Sequence, residues 1–181
     1  LHRGVAFLAQ VGDSRIYRIR GSRMQQLTRD HTLVWALYER GALAREQLEH
    51  HPQRHLLTQC VGNDRNPVVD LFQHQVQPGD LFLICSDGLT GYVDERKISH
   101  VVCDPKTKLE HKTRRLVELA LAGGGGDNVT AVLVQACALE PGDDWEAVLP
   151  LRPAPLTPEM DETVADDRIQ TVASEEFIDD Q

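Results

Sequence analysis

The chain has 181 residues, 41% of them hydrophobic, which is enough for one domain with a real core. Its formal charge of −9 is unevenly placed: residues 1–138 hold 17 Lys plus Arg against 15 Asp plus Glu, whereas residues 139–181 hold 2 basic and 13 acidic side chains. The longest apolar run, Leu81 to Cys85, stops at Ser86 and Asp87, far short of the roughly 18 residues of a bilayer span, and neither membrane nor nucleic acid is an expected partner.

Val5 to Val11 is apolar and β-branched, reads as a strand rather than a signal sequence, and is followed by the turn formers Gly12, Asp13 and Ser14. Arg15 to Ile19 is a second strand, and Gly21-Ser22 is a hairpin turn that returns Met24 to Leu27 as a third, antiparallel one. The spacing of Leu33, Val34, Leu37 and Tyr38 then predicts a helix, capped by Thr28 or Asp30 and ended by Gly41. Residues 42–55 are polar and read as a short helix with an exposed excursion carrying His50, His51 and His55, which are taken as solvated rather than as zinc ligands.

Leu56 to Val61 and Val68 to Val76 are strand-like. Pro78-Gly79-Asp80 turns the chain into Leu81 to Cys85, expected to be a strand buried on both faces. Helices are predicted over Asp94 to Val102 and Leu109 to Leu121, the second striped by Leu116, Leu119 and Ala120. Four glycines stop it, and Val129 to Val134 is a last strand. Hairpin strands mixed with paired helices, without an internal repeat, predict a layered α+β domain over residues 1–138. Residues 139–181, acidic and rich in proline, form a tail expected to be disordered. The four cysteines are scattered and mostly lie in or beside apolar runs, as buried free thiols do, which fits a reducing cytoplasm. Arg15, Arg18 and Arg20 alternate along one strand and read as a solvated face rather than as phosphate contacts.

Three carboxylates are placed where the chain leaves predicted strands. Asp87 lies in Ser86-Asp87-Gly88 at the end of the most apolar strand, with Gly88 permitting a sharp turn. Asp127 precedes Asn128 after the glycine run, and Asp13 follows Gly12 in another turn. Each alone is an ordinary turn former. Together they are a candidate acidic site for Mg²⁺ or Mn²⁺, which take a few carboxylates and fill the remaining positions with water.

Four strings in order carry a resemblance: Val11-Gly12-Asp13-Ser14-Arg15-Ile16-Tyr17, Leu27-Thr28-Arg29-Asp30-His31-Thr32, Leu83-Ile84-Cys85-Ser86-Asp87-Gly88-Leu89-Thr90 and Gly125-Gly126-Asp127-Asn128-Val129-Thr130-Ala131-Val132. They resemble the motifs of the type 2C, or PPM-type, metal-dependent protein serine/threonine phosphatases, and His51-Pro52-Gln53-Arg54 resembles the bacterial branch. The resemblance implies an αββα sandwich of two mostly antiparallel sheets flanked by helices. It implies that Asp87 and Asp127 coordinate a central pair of Mn²⁺ or Mg²⁺ ions and that Asp13 helps Asp87 hold a looser third. Ser86, Gly88, Gly12 and Asn128 support these ligands, and residues 42–55 correspond to a mobile flap.

The implied reaction is hydrolysis of phosphoserine and phosphothreonine on proteins by metal-activated water, opposing a bacterial Ser/Thr kinase. The family's opening strands, with their phosphate-gripping arginine and metal-bridging aspartate, have no counterpart before Asp13, and Leu1 is not a methionine. The chain therefore reads as a piece of a longer reading frame, whose missing strands leave sheet edges unpaired. The alternative function is a non-catalytic remnant that docks metal or a partner. In the tail, Thr163 within Asp161-Glu162-Thr163-Val164-Ala165-Asp166 resembles phospho-acceptors bound by forkhead-associated domains.

Overall fold

Alternation along the second strand sets the layering: Tyr17 and Ile19 are buried on one side, while Arg18 and Arg20 face the other. The computed structural model describes residues 4–48, 50–63 and 66–137. Its strands are β1 (Val5–Gln10), β2 (Arg15–Arg20), β3 (Arg23–Gln26), β4 (Asp70–Gln75), β5 (Leu81–Cys85) and β6 (Ala131–Gln135). Its α-helices are α1 (Leu33–Glu39), α2 (Asp87–Thr90), α3 (Glu95–Cys103) and α4 (Leu109–Ala122). A four-stranded sheet has the order β3-β2-β5-β6, and β1 pairs with β4 in a second, two-stranded sheet. Every pairing is antiparallel.

Two apolar layers hold the stack together. Tyr17, Ile19, Leu81, Leu83 and Cys85 pack against Leu89 of α2, Ile98 and Val102 of α3, and Leu116 and Ala120 of α4. On the reverse face, Phe82 meets Ala6, Leu27, Val76 and Ala136 between the sheets. Helices, wide sheet and narrow sheet follow one another as layers of the expected αββα sandwich, an α+β architecture. The narrow sheet has two strands and the wide one four, so Ile84, Val132 and Val134 on the inter-sheet face stay 38–45% exposed. Strand β5 is therefore not buried on both faces along its length, contrary to the reading from its apolar run.

Other differences have local causes. Leu56 to Val61 forms no strand: the described bridge joins Leu57 to Thr32, and α1 then turns the chain away, leaving Leu56 and Leu57 exposed. The cap of α1 is Thr32, whose hydroxyl accepts from the Trp35 amide, rather than Thr28 or Asp30. Asp94 caps α3 by accepting from Arg96 N–H. All four cysteines are free, yet only Cys85 is buried, where burial pushes its thiol up to about 12; Cys137 is exposed. Nor do the arginines of β2 form a solvated face, because Arg15 and Arg20 each bind a buried carboxylate. The proposed boundary at 138 and the tail lie outside the described residues.

Asp80 ties the turn before β5 to β2. Its carboxylate takes two hydrogen bonds from Arg20, both 2.7 Å, and a third from the Gln77 amide at 2.8 Å. Burial pushes its pKa up, but the bonds from Arg20 and Gln77 outweigh it and hold the group below the ordinary carboxylate range. A depressed acid stabilises the fold above its unfolded pKa and loses that contribution as pH falls through the folded value. Asp80→Asn is therefore expected to flatten the acid limb of stability below about pH 4, measured by urea unfolding across the acid range. An unchanged slope refutes this account.

Candidate metal centre

The register of the wide sheet brings the three predicted aspartates to one end. Arg15 pairs with Cys85, and Cys85 pairs with Ala131, so these residues lie side by side on β2, β5 and β6. Asp13 is two residues before the first, Asp87 two residues after the second, and Asp127 four residues before the third. Adjacent strands lie about 4.8 Å apart, so three loops distant in sequence emerge within about 10 Å at the sheet edge.

The Asp13 loop is built by side chains the sequence reading did not single out as functional. Gly12 has φ 97°, a conformation natural to glycine. The buried Gln10 amide donates to Gly12 O at 2.9 Å and Ser14 O at 2.6 Å, gripping the turn on both sides of Asp13. His31 Nδ1 accepts from Gly12 N–H at 3.2 Å, so its proton sits on Nε2, 3.3 Å from an Asp70 carboxylate oxygen. Arg15 grips Asp30 through Nε and Nη2, at 2.9 and 2.6 Å from Oδ2, and donates from Nη1 to the Tyr17 hydroxyl. Asp30 and His31 were visible only as part of a motif, and nothing in the local pattern marked Gln10.

Asp87 opens the short helix α2 directly after β5. The Ser86 amide donates to Thr130 O at 3.1 Å, while its hydroxyl donates to Asn128 O and accepts from Thr130 N–H. Gly88 lies so close to Asn128 that a side chain there would collide with the Asn128 carbonyl oxygen. The glycine run wraps Tyr92, with Gly123 against its carbonyl and Gly126 against its hydroxyl. The segments carrying Asp87 and Asp127 are thus clasped together, and the Asp127 carboxylate itself accepts from Asn128 N–H at 2.7 Å.

Electrostatics joins two of the three aspartates directly. Burial, and then the negative charge of Asp87, raises the Asp13 pKa, with Asp30 adding to the push and the residue's own backbone and Arg15 opposing it. Asp87 thus acts on Asp13 more strongly than Asp30 does. Among the described residues, no three His, Cys, Asp or Glu side chains group closely enough to hold a metal ion. Two acids thus share a neighbourhood, and the third reaches it through the Ser86 clasp. The remaining predicted residue, Thr163, lies outside the described residues.

Known proteins resemble this chain in sequence and in fold. The serine/threonine phosphatase stp of Listeria innocua is 36% identical over 137 residues, 76% of this chain and 54% of that protein. The structure of the PPM Ser-Thr phosphatase MsPP from Mycobacterium smegmatis, in complex with cacodylate, superposes with TM-score 0.66 at 40% identity, over 71% of this chain and 55% of that one. The chain belongs to the PPM family of serine/threonine phosphatases. No family model matches the sequence. A PPM-type neighbour, the catalytic domain of the phosphatase PstP in complex with two manganese ions, has TM-score 0.62 at 32% identity, covering 75% of this chain and 55% of that one. This member spans about half the length of the curated relatives it matches. Among the described residues, no helix is long and apolar enough to cross a membrane.

Proposed function

We propose that this protein hydrolyses phosphoserine and phosphothreonine on other proteins with the help of divalent metal ions. The observation that carries the reading is the meeting of Asp13 and Asp87 at the sheet end where Asp127 also emerges. Carboxylate oxygens suit Mn²⁺ and Mg²⁺, and the repulsion that raises Asp13 is what a cation relieves. In this reading Asp87 and Asp127 hold ions of a central pair, and Asp13 shares a third with Asp87. When bound, such ions activate water and neutralise charge on the phosphoryl group. The protein's own contribution is to hold the carboxylates: Gln10 and His31 fix the Asp13 turn, and Ser86 fixes the other two relative to each other. The enzyme acts in the cytoplasm on targets of a Ser/Thr kinase, and phosphorylated Thr163 offers a forkhead-associated domain a docking point.

A second reading is a remnant that binds metal or a partner without turnover: among the described residues, no three metal-binding side chains group together. Hydrolysis of an aryl phosphate separates the two readings. The enzyme predicts turnover that requires Mn²⁺, stops with chelator and falls at least about 100-fold in Asp87→Asn. Inactivity with Mn²⁺, even after fusion to the portion of a relative that this chain does not span, refutes catalysis and supports the remnant.

A further inference from the structure

At the end of the wide sheet opposite the three aspartates, Arg18, Arg20, Arg23 and Gln25 line a cleft of about 190 Å³. It sits beside the β2–β3 turn, where Arg20 pairs with Arg23, and β2 separates it from Asp13 by about 17 Å. Its positive charge exceeds what surrounds it. Asp80, the buried carboxylate there, is committed to Arg20. Arg18 donates to the neutral Gln25 at 2.8 Å, and Arg23 makes no ion pair among the described residues. Burial, and then the charges of Arg20 and Arg23, hold the Arg18 guanidinium below its ordinary range. Among the described residues, Arg23 thus has no ion-pair partner and Arg18 feels only the field of Asp80, which Arg20 already holds.

The chain supplies an anion next door. Strand β6 ends at Gln135, and Ala136 is fixed to the same turn, donating to Asp80 O at 2.8 Å and accepting from Gly79 N–H at 2.7 Å. The following residues therefore start beside the carboxylate that holds Arg20. Four acids come first, Glu140, Asp143, Asp144 and Glu146, with no Lys or Arg before Arg152. Six extended residues reach about 20 Å, and β6 lies only two strand spacings, about 10 Å, from β2.

We propose that the acidic segment Glu140 to Glu146 docks in the arginine cleft, folding the start of the tail back onto the β2–β3 hairpin. Covalent attachment makes the encounter intramolecular, so individually weak exposed ion pairs add to an occupied contact at low ionic strength. Salt screens such pairs, so docking weakens as salt rises. Because the cleft lies at the far end of the sheet, the docked segment leaves the aspartate end uncovered.

Nuclear magnetic resonance of the full chain in about 0.05 M and about 0.5 M NaCl tests this. Docking predicts salt-dependent shifts for the amides of residues 140–146 and for the Arg18 and Arg23 Nε–H groups. Arg23→Glu abolishes these shifts, whereas Arg114→Glu on the exposed face of α4 leaves them. Neutralising the tail by Glu140→Gln, Asp143→Asn, Asp144→Asn and Glu146→Gln removes the arginine shifts without touching the folded core. Equal effects of Arg23→Glu and Arg114→Glu, or tail amides insensitive to both, overturn the proposal. So does inorganic phosphate that shifts Arg18 and Arg23 while residues 140–146 stay unchanged, which makes the cleft a small-anion site instead.

Discussion

Replacing Gly88 with alanine will destabilise the chain by about 2 kcal/mol and displace the segment that carries Asp127. A β-carbon at position 88 meets the Asn128 carbonyl oxygen and carbon and comes within 3.4 Å of Val129 Cα, all of them backbone atoms. Those atoms cannot swing aside as a side-chain tip could, because Ser86 binds Asn128 O and both polar backbone atoms of Thr130. Either α2 moves away from β5 or the lead into β6 moves, and each separates Asp87 from Asp127. Chemical unfolding measures the stability, and amide exchange at Thr130 reports the clasp. Gly21→Ala is the control: its φ of 60° costs about 1 kcal/mol, but nothing stands within 4 Å of the added carbon. If Gly88→Ala matches wild type in both stability and Thr130 protection, the close approach is not a constraint.

Asp30→Ala will cost more, about 3 kcal/mol, because it strands a charge. Asp30 is 7% exposed and Arg15 23% exposed, and the pair joins the loop before α1 to the first residue of β2. Asp30 also accepts from the Gln26 amide at 3.0 Å. Removing it leaves the guanidinium with the Tyr17 hydroxyl, which cannot neutralise it; burial keeps that phenol from ionising. The double variant Asp30→Ala/Arg15→Met should regain most of the loss, since no charge is then left behind. A double variant as unstable as Asp30→Ala alone would show that packing, rather than the stranded charge, governs the site.

Local rules carried much of the architecture. The apolar, β-branched run at Val5 to Val11, the strand read at Arg15 to Ile19, the Gly21-Ser22 turn and the stripe at Leu116 and Ala120 each correspond to an element of the structure. The aspartates were legible for a similar reason, since a carboxylate at a strand end beside glycine is conspicuous in sequence. What was not legible depends on partners far along the chain. Arg15 looked like a solvated strand residue until Asp30 folded against it, and Gln10 has no local feature that reveals its grip on the Asp13 turn. Leu56 to Val61 failed as a strand because α1 begins just after Thr32, the described bridging partner of Leu57. The exposure of Ile84 follows from the width of the opposite sheet, which its own strand cannot reveal.

The strand order also dictates when the site can exist during folding. Only β2 and β3 are joined by a tight turn; β1 meets β4, and β2 meets β5, across 60–70 residues, and β5 meets β6 across 46–54. Closing loops of that length loses chain entropy before any contact rewards it, so such topologies fold slowly from a locally formed piece. The β2–β3 hairpin can form early, but it carries none of the three aspartates. Their convergence needs β2, β5 and β6 in register at once. If they hold a divalent ion as proposed, ion binding would report complete folding and stay silent in partly assembled states.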